Sequence, residues 1–132
     1  MTVIIESISE VAFGCVIPLP GYLKGIQNIC NKYGAMLIVD EIMCGTGRIG
    51  SLYVWQKENF MPDILLLGKG ISGGYLPLFV MMVNSKINKE KIGKFIHGFT
   101  YQSMPIQAAV GTTILTLLKN KNILINISYL NI

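Results

Sequence analysis

The sequence predicts an α/β fold, a mostly parallel sheet flanked by helices, and three observations carry that prediction. Short runs that are apolar on both faces recur at Val3-Ile4-Ile5, Met36-Leu37-Ile38-Val39 and Ile64 to Leu67. Runs of that kind suit central strands of a parallel sheet covered by helices. A segment with helical spacing separates the first two, and a glycine-rich turn with a short amphipathic segment separates the second and third. Strands and helices alternating in this order build an open, largely parallel sheet through right-handed crossovers.

Each element follows from local signals. Val3-Ile4-Ile5 forms a short first strand that ends at Glu6, and Ser7 to Pro20 reads as a loop closed by Pro18 and the Pro20-Gly21 pair. From Tyr22 to Tyr33 the residues Leu23, Ile26, Ile29 and Cys30 recur at helical spacing, and Gly34 stands where a C-terminal cap belongs. Met36 to Val39 is a second strand ending in Asp40-Glu41. Beyond it lie the glycine-rich turn Gly45-Thr46-Gly47-Arg48-Ile49-Gly50 and a short helix from Tyr53 to Asn59. Pro62-Asp63 introduces a third strand, Ile64 to Leu67, which stops at Gly68-Lys69-Gly70. A second glycine-rich loop precedes a fourth strand, Leu78 to Val83. Helical segments are expected at Lys86 to Ile92 and at Pro105 to Leu118, with Pro105 at a first helical position. Nothing repeats and no linker divides the chain.

Composition narrows the class. The 132 residues are 52% hydrophobic and 14% charged, too apolar for a disordered chain and lean in charge for a free-standing domain. The longest apolar stretch, Leu76 to Val83, contains Pro77 and falls far short of the roughly 20 residues a spanning helix needs, so no membrane is expected. No basic segment followed by an apolar run and a cleavage site opens the sequence, so no secretory signal is read. The net charge of +4 is dispersed, with a mild cluster at Lys86, Lys89, Lys91 and Lys94. No aromatic residues interleave with it as a nucleic-acid platform requires, and a solvated helix face is the expectation. Cys15, Cys30 and Cys44 show neither paired nor metal-ligand spacing, which points to reduced thiols in an intracellular protein.

In open α/β sheets ligands collect at the carboxyl ends of the strands, and Asp40 and Lys69 both stand there. A lysine between two glycines is an exposed amine. It is either a turn residue or a nucleophile, and the second role needs a desolvated pocket or a nearby cation to lower its pKa. A carboxylate at the edge of a dry core is costly unless something compensates it. Asp40 is therefore a helix cap, an ion-pair partner of Arg48, or the counter-ion of a bound cation such as a protonated pyridine nitrogen. Neither glycine-rich loop matches a nucleotide motif, since no GxGxxG opens a long helix and no GxxxxGK[ST] is present. Thr100 offers a hydroxyl that could meet a phosphate, and His97, the only histidine, excludes histidine clusters.

Taken together, Gly34-Ala35-Met36-Leu37-Ile38-Val39-Asp40-Glu41-Ile42, Gly45-Thr46-Gly47-Arg48-Ile49-Gly50, Pro62-Asp63-Ile64 and Gly68-Lys69-Gly70-Ile71-Ser72-Gly73-Gly74 resemble the signature of the class III aminotransferases. These are the ornithine, 4-aminobutyrate and omega-amino-acid group of fold type I enzymes that use pyridoxal 5'-phosphate (PLP). The interval from Asp40 to Lys69 is similar to the family's, as is the segment His97-Gly98-Phe99-Thr100-Tyr101-Gln102 after the lysine. The resemblance covers roughly residues 2–120 and implies that residues 1–120 are part of the aspartate aminotransferase-like, PLP-binding large domain. Residues 121–132 read as a divergent tail.

The resemblance implies roles. Lys69 would hold PLP as a Schiff base and later move a proton. Asp40 would pair with the pyridinium nitrogen, keeping the ring an electron sink. Ile42 would pack on one ring face. Thr100 would reach the cofactor phosphate of a neighbouring subunit, because the family's sites lie at a dimer interface, and Glu6 would line the substrate side. The implied reaction moves an amino group between an amino donor and a 2-oxo acid or aldehyde. A cytoplasmic or mitochondrial location fits.

The sequence also departs from the family. Ser7 replaces a usual proline, Ile49 a usual threonine, and Phe79-Val80-Met81-Met82 is bulkier than usual. Family members run to several hundred residues, so the chain is expected to be a fragment, a degenerate gene product or a mispredicted reading frame. It would be inactive alone and poorly soluble through the edges and apolar faces that missing strands would cover. The non-catalytic alternative is an interaction module that docks on a full-length homologue.

Overall fold

The computed structural model describes residues 1–9, 13–87, 93 and 96–129. Its sheet has four strands in the order β1 (Thr2–Glu6), β2 (Met36–Asp40), β3 (Ile64–Leu67) and β4 (Val80–Val83). The first three run parallel and β4 returns antiparallel to β3. The expected fold class therefore holds, with an antiparallel edge strand on the parallel sheet. Strand β4 is two residues shorter than the expected Leu78 to Val83, because its partner β3 offers only the four residues Ile64–Leu67 for pairing.

Helix α1 (Tyr22–Tyr33) connects β1 to β2. It ends where Gly34 turns left-handed at φ 64°, and the following N–H of Ala35 donates to the Cys30 carbonyl at 2.9 Å. That is the expected glycine cap, satisfying carbonyls the helix leaves open. Between β2 and β3 the expected amphipathic helix is a 3-10 turn, Val54–Glu58, stopped by Asn59 at φ 52°. Five residues are too few to repay the nucleation of an α-helix. Helix α2 (Pro105–Leu118) begins on its proline as read, and a further helix, α3 (Lys121–Tyr129), occupies the tail. The helical segment expected at 86–92 falls mostly on residues outside those described.

One face of the sheet is closed. Leu37 and Val39 of β2, with Leu65 and Leu67 of β3, pack against Leu23 and Cys30 of α1 and against Phe60 and Ile71. Helix α2 lies on the turn after β3, where Gly111 lets the backbone approach Leu78; a Cβ there would stand 2.8 Å from Leu78 Cδ2.

The opposite face is open. Register aligns Ile4, Ile38, Ile64 and Val83 in one row across all four strands. At its two ends Ile4 is 60% and Val83 49% exposed. A row of aliphatic side chains on an uncovered sheet face is the kind of patch that monomeric proteins seldom leave bare. Among the described residues no helix is long and apolar enough to cross a membrane.

Candidate active site

The carboxyl ends of the three parallel strands are level. Register pairs Glu6 with Asp40 and Asp40 with Leu66, so two carboxylates stand side by side, and Lys69 follows three residues beyond Leu66. Alternation along β2 sends Leu37 and Val39 into the core and turns Asp40 to the other face, half-buried. There Asp40 Oδ1 accepts the N–H of Ile42 at 2.9 Å, a tight side-chain turn. Among the described residues nothing bonds to its second oxygen. Arg48 does not supply the ion pair that the sequence left open, because its Nε donates to the Met43 carbonyl at 3.1 Å.

Lys69 opens a 3-10 turn, Lys69–Ser72, with φ at +43°. A side chain in the left-handed region costs about 1–3 kcal/mol, and residues held that way cluster at functional sites. Its side chain is exposed, and the turn is held by Ser72 Oγ donating to the Lys69 carbonyl at 3.2 Å. Lys69 and Ile42 line one broad concavity, together with Tyr53, Phe99, Tyr101 and Gln102.

The glycines of the two loops let those loops touch. A Cβ on Gly68 would come within 2.9 Å of Ile42 Cγ2, and one on Gly70 within 3.3 Å of Thr46 Cβ. Their role here is close approach of two turns. The structure thus lays Ile42 directly against the turn that carries Lys69.

Thr100 lies in an exposed turn over Phe99–Gln102, closed by the Gln102 N–H on the Phe99 carbonyl at 3.0 Å. Its neighbours Phe99 and Tyr101 face the concavity, whereas Thr100 is not part of the lining. Glu6 is exposed at the end of β1, and His97 packs edge-on against Phe99 with ring centroids 5.7 Å apart. The structure brings Ile42 and Lys69 to one concavity, keeps Asp40 outside its lining but bonded to Ile42, sets Glu6 beside Asp40, and leaves Thr100 on the outer loop.

Sequence reasoning passed over Glu41, which is fully buried. Its Oε1 accepts from Ser7 Oγ at 3.1 Å and from the Trp55 N–H at 2.9 Å, and its Oε2 accepts from the Val54 N–H at 2.9 Å. The signal was present: the same alternation that turns Asp40 outward sends Glu41 inward beside Val39. Burial raises its pKa above the ordinary 4.5 and outweighs the lowering by the Val54, Trp55 and Ser7 hydrogen bonds. Tyr53 is raised by burial and then by the charge of Glu41.

A raised folded-state pKa means that the folded chain favours protonated Glu41. Its contribution to stability is complete below pH 4.5 and is lost as pH rises through the raised value. Urea titrations across that window should show the wild type losing stability relative to Glu41→Gln. A difference that stays flat or grows with pH would contradict this sign.

The family model described as aminotransferase class-III matches residues 1–131. An aminotransferase of Gibberella zeae is 40% identical over 84% of this chain and 22% of its own length. Gamma aminobutyrate transaminase 2 of Solanum lycopersicum is 38% identical over 83% of this chain and 25% of its own. Among solved structures, a Bacillus anthracis aminotransferase superposes with a TM-score of 0.84 at 32% identity, covering 93% of this chain and 28% of that one. Ornithine aminotransferase of Plasmodium yoelii gives 0.79 at 36% identity, covering 89% and 31%. The chain thus spans about a quarter of the length of the relatives it matches.

Proposed function

Because the chain belongs to the class-III aminotransferases, we propose that it carries the cofactor-bonding centre of a PLP-dependent transaminase, with Lys69 as the covalent anchor. The observation that supports this most is the shared concavity of Lys69 and Ile42, with Ile42 two residues beyond the half-buried Asp40.

The residues present suit the group. PLP when bound supplies an electron sink for the substrate's bonding electrons. Asp40 offers an oxygen without a partner among the described residues, which would accept the N–H of a pyridinium. Ile42 offers an aliphatic surface to a ring face, and Lys69 an exposed amine. In its neutral form that amine would bond to the group's carbonyl carbon with loss of water, and once freed again it would carry a proton from one carbon to another. Glu6, beside Asp40, would line the substrate side. Thr100, on its outer loop, would donate its hydroxyl to the cofactor phosphate of a second subunit in a homodimer. The substrates proposed are an amino donor and a 2-oxo acid or aldehyde.

Incubation with PLP, reduction with borohydride and peptide mapping test this reading. The expected result is one modified peptide, labelled at Lys69. Labelling spread over surface lysines such as Lys24, Lys32 and Lys57 would overturn it.

The open aliphatic row favours a second reading, in which the chain docks on a full-length homologue and does no chemistry itself. The isolated chain should bind a hydrophobic dye and associate with itself. The double variant Ile4→Thr/Val83→Thr should raise the soluble fraction and lose any co-purification with such a homologue. Co-purification that survives this double variant would reject the row as a docking surface.

A further inference from the structure

Glu41 separates two residues of the proposed cofactor site, and it is tied on every side. Its N–H donates to the Leu66 carbonyl at 3.0 Å, on the strand that leads into Lys69. Its own carbonyl accepts the Gly45 N–H at 3.0 Å. The side chain takes Ser7 from the end of β1 and the Val54 and Trp55 N–H groups from the 3-10 turn. Three donors converge on the two oxygens of one carboxyl group, and among the described residues no cation pairs with it. On the far side of the same turn, Asp40 Oδ1 holds the Ile42 N–H across Glu41.

We propose that Glu41 is a positioning residue: it fastens the Asp40–Ile42 turn to the ends of β1 and β3, and Ser7 completes its set of donors. Asp40 and Ile42 then stand at a fixed height over the Lys69 turn. A carboxylate on a ring nitrogen and an aliphatic side chain on a ring face both lose their effect when displaced by a fraction of an ångström, which is why supporting contacts matter. The inference rests on the cofactor reading above.

Glu41→Gln keeps the shape of the side chain but turns one acceptor into an NH₂ group that faces an N–H or O–H donor. The turn loosens without a cavity. The full chain, Glu41→Gln, Ser7→Ala and the double variant would be titrated with PLP by absorbance, trapped with borohydride, mapped, and checked for cooperative unfolding. Glu41→Gln should weaken PLP binding about tenfold, the lower end of what loss of an orienting partner costs at metal sites, and shift the absorption maximum of the Lys69-linked cofactor. Ser7→Ala should move both in the same direction by less. The double variant should be no worse than Glu41→Gln, because both act through one carboxylate.

A folded Glu41→Gln chain, labelled at Lys69 with unchanged affinity and spectrum, would overturn the proposal and leave the cofactor reading intact. If Glu41→Gln does not fold, a folded Ser7→Ala chain with wild-type affinity and spectrum overturns it instead. Absence of Lys69 labelling in the wild type removes the cofactor reading and the positioning role together.

Discussion

Lys69→Gly should abolish the borohydride-trapped attachment of PLP and at the same time stabilise the chain by about 1 kcal/mol. The two halves have separate causes. The attachment needs an amine that can lose its proton, and glycine has none. The stability gain follows from the backbone, because Lys69 sits at φ +43°, where a side chain is strained and glycine is not. Since the side chain is exposed, its removal leaves no cavity to offset that gain. Lys69→Arg separates the chemistry further. A guanidinium stays protonated in proteins and cannot attack a carbonyl, so this variant should keep the wild-type charge, fold and strain while losing the label. Peptide mapping and urea denaturation of the three chains check both halves. A label that persists in Lys69→Gly would reject Lys69 as the anchor, and a glycine variant less stable than wild type would show that its backbone stores no strain.

Much of this arrangement was legible in the sequence, for identifiable reasons. Helix α1 could be bounded because its apolar spacing and the Gly34 cap agree, and local signals that agree leave little for tertiary structure to overrule. The parallel strands were legible because their residues are apolar on both faces, although one of those faces is open here. The antiparallel return of β4 was not, since an apolar run carries no sign of direction. At the site, Asp40 and Lys69 stood out as charged residues at strand ends. Glu41 did not, because a carboxylate one residue further reads as solvated unless the strand's two-residue period is followed past its last apolar side chain. Ser7 was noticed as a departure, but its hydroxyl has meaning only beside a group 34 positions away. The glycine-rich loops match no nucleotide motif, and what their glycines allow is contact between two turns distant in sequence.

That last point gives the second large effect, a pair of glycine-to-alanine substitutions with opposite signs. At Gly45 a Cβ would lie 2.6 Å from the backbone oxygen of Glu41, 2.9 Å from its Cβ and 3.2 Å from its Oε2. The first of these is a backbone atom that cannot rotate away, and it accepts the Gly45 N–H itself. The loop must therefore move off Glu41, which forfeits that hydrogen bond and presses on the buried carboxylate. Overpacking and a lost bond together should cost about 2–4 kcal/mol. Gly25, inside α1, has nothing within 4 Å of an added Cβ. There alanine only relieves the entropy a helical glycine loses on folding, and Gly25→Ala should stabilise by about 0.5–1 kcal/mol. Urea midpoints of the two variants against wild type decide the matter. If Gly45→Ala cost no more than a surface substitution, Glu41 would not be held as tightly as its five hydrogen bonds require, and the fixed height of Asp40 over Lys69 would have to come from elsewhere.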